Sequence, residues 1–239
     1  MTWSILARDA ESGALGVAVA SRFLAVGALC PRIEGGLGVA CTQALVNPYL
    51  APDALARLRA GETPGAALAA VVAADAGRAT RQAHVMAADG TSARHTGDDC
   101  VGWCGHLDGP GVSVAGNMLA GPAVLEATRD AFLGSAGLPM VERLLRAMEA
   151  GEAAGGDRRG RQSAAIQVAT GDAMPDLDLR SDDHPDPLAE LRRLHRVWDG
   201  YTRHFRRFLP GRSAAGDHPG VFDRSVIQAA VAAAQEEHG

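Results

Sequence analysis

The feature that most limits how this chain can fold is the order of its apolar runs. Short Val-, Ile- and Leu-rich stretches come first, a pair of helical stretches follows, and then the same order repeats. Residues 2–7 and 14–20 flank the polar segment Arg8-Asp9-Ala10-Glu11-Ser12-Gly13, a pattern that predicts a β-hairpin. After the Gly35-Gly36 break, residues 37–42 predict a further strand that runs on toward Gln43 and Asn47-Pro48. Two helices come next. Pro52 stands near the start of the first, Leu55 and Leu58 share a face, and Gly61 ends it. Thr63 caps the second, with Pro64 in its first turn and small apolar residues on to Ala74. Residues 82–88, 92–96 and 111–115 predict strands, the first two joined at Asp89-Gly90. A second helix pair covers 122–132 and 139–150, and residues 163–169 close the core as a strand. Blocks of strands followed by helix pairs imply helices packed on stacked sheets, an α+β architecture rather than an alternating parallel one.

Beyond Pro175 the character changes to acidic turns, an Arg-rich helix over 188–208, a loop over 210–219 and an Ala-rich helix over 221–237. Residues 1–187 are therefore expected to form one domain, and 188–239 a helical extension that packs on the core or on a partner subunit. At 239 residues, 47 % apolar and 21 % charged, the chain is globular and long enough to close a large core. All 23 basic residues are arginine, which excludes Schiff-base and lysine-base chemistry. With 28 acidic residues, a net charge of -5 and no basic run interleaved with aromatics, nucleic acid is not expected as a partner. The apolar runs are broken by Gly, Pro or charge, so neither a signal peptide nor a membrane span is expected. Four cysteines make no disulfide framework, and a cytoplasmic location would keep them as thiols.

The strongest chemical signal is Thr2, at the head of the first predicted strand. Loss of Met1 would leave a hydroxyl and a free α-amine on one residue. That amine titrates near pH 7.7 to 8.0, so a useful fraction is neutral and can take the hydroxyl proton, directly or through water.

A strand, turn and strand beginning at a threonine, then strands, two helices, more strands, two helices and a closing strand is the order seen in N-terminal nucleophile (Ntn) hydrolases. The stretch Ala18-Val19-Ala20-Ser21-Arg22 resembles the part of proteasome-type β subunits that sets polar groups beside the nucleophile. The run 2–187 resembles the domain of unknown function 1028 family, which is assigned to that superfamily. The resemblance rests on segments 2–9, 15–27, 40–48, 103–106, 116–121, 151–165 and 179–187, together with Arg81-Gln82 and Thr96-Gly97. It implies a four-layer αββα sandwich and an amide hydrolase with Thr2 as nucleophile and no cofactor or metal. One departure is visible: proteasome-type sites hold a lysine near the nucleophile, whereas Arg32 is the cation here, and a guanidinium cannot serve as base.

Other candidates follow from position. Ser21 can orient the Thr2 amine or hydroxyl. Gln43 and Asn47, between a strand and a helix start, can converge on a developing oxyanion or simply shape the turn before Pro48. Asn117, again between strand and helix, can bind a substrate carbonyl or cap its turn. His106 titrates near neutrality and can hold substrate or act as acid. Gly155-Gly156-Asp157-Arg158-Arg159-Gly160-Arg161-Gln162-Ser163 reads as a site loop. Its arginines suit a carboxylate, Asp157 can orient an arginine or the Thr2 amine, and the resemblance places Ser163 near the nucleophile. Cys100, Cys104 and His106 have some metal-ligand spacing but lack the usual second pair. The expectation is a homo-oligomeric amide hydrolase for a small carboxylate-bearing substrate. The alternatives are a cyclohydrolase or isomerase without an acyl-enzyme, and a non-catalytic ligand-binding protein.

Overall fold

The computed structural model describes residues 2–206, 208–211 and 223–236. The expected loss of Met1, most of the 210–219 loop and the ends of the 221–237 helix lie outside those residues.

The hairpin forms as the two apolar runs and their polar turn predict. β1 (Thr2–Arg8) and β2 (Leu15–Ser21) pair antiparallel with Thr2 opposite Ser21. Asp9 closes the turn by accepting from the Ser12 N–H at 2.8 Å and its hydroxyl at 2.7 Å. A short α1 (Val26–Leu29) precedes β3 (Pro31–Glu34) and β4 (Gly38–Ala44). Next come α2 (Leu50–Arg59) and α3 (Pro64–Ala74), the latter capped by Thr63, whose hydroxyl accepts from the Ala66 N–H at 3.3 Å. Four strands follow: β5 (Arg81–Ala87), β6 (Ser92–Thr96), β7 (Trp103–Gly109) and β8 (Val112–Leu119). After α4 (Ala123–Leu133) and α5 (Met140–Ala153) the core closes with β9 (Ser163–Ala169) and β10 (Leu177–Ser181). α6 (Pro187–Val197) continues through a π turn into α7 (Arg203–Arg206), and α8 (Arg224–Glu236) ends the described chain.

Two antiparallel sheets result, ordered β10-β9-β2-β1-β8-β7 and β3-β4-β5-β6. Because side chains alternate along a strand, each sheet has two buried faces. Trp3 and Ile5 of β1 join Leu125, Phe132 and Leu144 in a cluster under α4 and α5. Leu6, Val17 and Val19 point the other way and meet Val39, Cys41 and Met86 of the four-stranded sheet. Ala83 and Val85 face α2 and α3, against Leu55 and Leu68. Close approach is built in at Gly16, where a Cβ would stand 2.7 Å from Leu144 Cδ1. Leu188 and Leu191 of α6 belong to the first cluster, so the extension expected from residue 188 begins packed on the core. Among the described residues no helix is long and apolar enough to cross a membrane.

Three strands differ from expectation. β3 begins at a proline and is four residues long, β7 carries four residues of the Cys100–His106 segment that suggested metal, and β10 lies in the acidic stretch assigned to a change of character. Each is at or next to a sheet edge, where half-exposed positions blur the apolar alternation.

Candidate active site

On β1, Thr2, Ser4 and Leu6 share the face turned toward the second sheet, so the chemistry-bearing Thr2 lies between the sheets at one end of a central strand. Thr2 pairs with Ser21 on one side and Asn117 on the other. Its hydroxyl is 3.1 Å from that of Ser21, and the Asn117 amide donates to its carbonyl at 3.4 Å. Thr2, Ser21 and Gln43 open on a cavity of about 280 Å³, whose wall also carries Arg159. A larger cavity of about 450 Å³ lies between Asp172, Asp176, Trp198 and Arg206, and among the described residues no serine, threonine, cysteine or histidine lines it.

Behind Thr2 runs a buried polar network that spans both sheets. The Ser4 hydroxyl donates to Gln43 Oε1 at 2.8 Å, and Gln43 Nε2 donates to Gln82 Oε1 at 2.8 Å. Gln82 Oε1 also accepts from Asn117 Nδ2 at 3.1 Å, while Gln82 Nε2 reaches the Gly116 carbonyl at 2.9 Å. Ser4 further meets His84 Nε2 at 2.9 Å, and His84 Nδ1 meets the Ser113 hydroxyl at 3.1 Å. Full burial pushes the His84 pKa down to about 3, so this imidazole stays neutral.

The backbone around the cavity is strained. Among the described residues the non-glycine positions with positive φ are Ala25, Ala44 and Met118, at 53°, 73° and 55°. Ala44 and Met118 line the cavity, and Ala25 precedes Val26, which does too. A left-handed conformation costs about 1–2 kcal/mol at a residue bearing a Cβ. At Met118 it breaks the strand alternation: Leu119 is buried in the helix-side cluster, and Met118, at the margin of that cluster, also lines the cavity.

Two candidates hold the walls in place. The buried Asp157 carboxylate accepts from the Arg22 and Arg159 N–H groups, both at 2.8 Å, and pairs with the Arg159 guanidinium at 3.2 Å. Ser163 accepts from the Val26 N–H at 3.1 Å and donates to the Phe23 carbonyl, which fixes the segment after β2. Both side chains position others; neither lines the cavity with Thr2.

Residues 2–191 match a family of unknown function, DUF1028. The chain belongs to this family. A crystal structure described as protein SPO2555 from Silicibacter pomeroyi, also assigned to DUF1028, is similar at 35 % identity, covering 88 % of this chain and 92 % of that one with a TM-score of 0.81. No curated protein matches the chain.

Every site residue expected from the sequence falls within the DUF1028 match, yet the structure does not gather all of them. Asn47 donates to Asp75 at 3.0 Å and accepts from the Tyr49 N–H, so it serves its turn and not the Thr2 cavity. His106 sits on β7 away from that cavity, its pKa lowered by burial and by Arg94. Arg158 is exposed and not part of the wall. Gln162 reaches Asp183 at 3.2 Å, and Arg161 pairs with Glu152 at 2.7 Å and Asp186 at 2.9 Å. Of the arginine loop, Arg159 alone lines the cavity. Arg32 donates to the carbonyls of Pro31 at 2.6 Å and Ala28 at 3.3 Å. Among the described residues no three His, Cys, Asp or Glu side chains gather as metal ligands. Ser4, Gln82, His84 and Ser113 were not expected; the available signal was a polar side chain recurring on the inward face of an apolar strand.

Proposed function

We propose that this DUF1028 protein is an amide hydrolase of the Ntn type, acting on a small carboxylate-bearing molecule with Thr2 as nucleophile. One observation carries the reading: the Thr2 hydroxyl, at the head of a central strand and 3.1 Å from Ser21, opens on the cavity beside Gln43. The order of helix pair, six-stranded sheet, four-stranded sheet and helix pair, with an apolar cluster at each junction, supports the αββα sandwich of that superfamily.

With Met1 removed, the Thr2 α-amine takes the hydroxyl proton as Oγ attacks the substrate carbonyl. The proton passes to the departing amine, and water then hydrolyses the threonyl ester. Gln43 spends one amide hydrogen on Gln82 and offers the other to the oxyanion. Asn117 holds the Thr2 carbonyl, and Ser21 orients the nucleophile. Arg159 meets the substrate carboxylate. No lysine is available, so the α-amine is the base.

The test compares processed wild type, Thr2→Ala and protein with a fixed N-terminal extension on a panel of N-acyl amino acids, with amine release as readout. Release by wild type alone supports the reading. Wild-type release by Thr2→Ala overturns it.

A further inference from the structure

The geometry points to an amphipathic substrate for this cavity: an amide whose compact apolar arm and carboxylate together come to roughly nine or ten non-hydrogen atoms. The inference rests on the Thr2 reading for the chemistry but not for the binding. Three separate loops place a large apolar side chain in solvent at one mouth. Phe23 follows β2, Leu45 follows β4 and Val101 precedes β7, and they are 49 %, 66 % and 62 % exposed. Large apolar groups gathered at a cavity mouth mark a binding surface more often than chance exposure.

The backbone is tied down at two of these three positions. Ser163 grips the Phe23 carbonyl, while Thr80 accepts from the Leu45 N–H at 3.2 Å. The positive φ of Ala44 turns the chain immediately before Leu45. Val26 and Leu29 continue the apolar wall inward, and the polar groups Thr2, Ser21 and Gln43 come from strand ends. Among the described residues no acidic side chain lines the cavity, and the one charged side chain in its wall is Arg159, paired with Asp157. At roughly 30 Å³ for each water-sized group, about 280 Å³ holds an arm of medium length.

The experiment measures binding by thermal shift and calorimetry with octanoate, octanol, octylamine and acetate. Wild type should bind octanoate, with octanol and octylamine bound at least tenfold more weakly and acetate undetectably. Val101→Asp, at an exposed position that leaves the core intact, should weaken octanoate at least tenfold, and Arg159→Gln should erase the preference for octanoate over octanol. Equal binding of acetate and octanoate, or an unchanged octanoate affinity in Val101→Asp, overturns the inference. A change of oligomeric state in Val101→Asp with octanoate affinity intact also overturns it, because the rim is then a contact between copies. Octanoate binding that follows this pattern in a protein without amide turnover would refute the Thr2 chemistry alone.

Discussion

Gln82→Leu removes the hub that joins the two sheets. Gln82 is fully buried on β5, and its carboxamide contacts the side chains of Gln43, Asn117 and Thr96 and the carbonyls of Gly105 and Gly116 at 2.8–3.1 Å. A leucine fills a similar volume but satisfies none of them. It strands an amide hydrogen on Gln43 and on Asn117, and the two glycine carbonyls lose their side-chain donor. Each buried group left without a partner costs about 1–3 kcal/mol. Those two amides alone set a lower bound of about 2 kcal/mol, a sizeable share of the roughly 5–15 kcal/mol that holds a domain folded. Urea unfolding followed by circular dichroism should show the midpoint falling with an unchanged m-value. The double variant Gln43→Leu/Gln82→Leu should lose less than the sum of the single losses, because the two amides no longer strand one another. A Gln82→Leu loss below about 1 kcal/mol would refute the hub.

His84 gives a pH signature. Its folded pKa of about 3 lies below the ordinary value of 6.5, so between those limits the unfolded state binds more protons. Its contribution is complete above pH 6.5 and is lost as pH falls toward 3, with a slope of up to about 1.4 kcal/mol per pH unit. A His84→Gln variant should show a flatter stability curve across that window, and curves parallel to wild type would contradict the assignment. Asp157→Ala should release the Arg22 and Arg159 amides, read as faster hydrogen exchange at both; unchanged exchange would remove Asp157 from its positioning role.

Short runs bounded by turn residues made the hairpin, β4, β5, β6 and β9 legible in the sequence, and Pro and Gly punctuation marked the four central helices. Thr2, Ser21 and Gln43 were legible because each stands at or next to a strand end, where side chains meet at a sheet end. The network behind them was not. On β5, Gln82 and His84 alternate with Ala83 and Val85, a pattern that reads as a wet face opposite a dry one. Here both faces are buried, and the polar side meets Ser4, Gln43, Ser113 and Asn117 from other strands. Such pairing over sequence separations of dozens of residues leaves no local trace. The arginine loop misled in the opposite sense: three cations in a glycine-rich stretch suggest one anion site, but Arg161 is consumed by Glu152 and Asp186.

The most direct test of the central claim is chemical capture of the nucleophile. An alkyl β-lactone opens on an activated hydroxyl and leaves its whole mass as an ester, so digestion and mass spectrometry locate the reacting residue. The account predicts the added mass on the peptide that begins at Thr2, only in molecules that have lost Met1, and none in Thr2→Ala. An adduct on Ser21 or Cys30 instead, or on Thr2 in molecules that retain Met1, would contradict it.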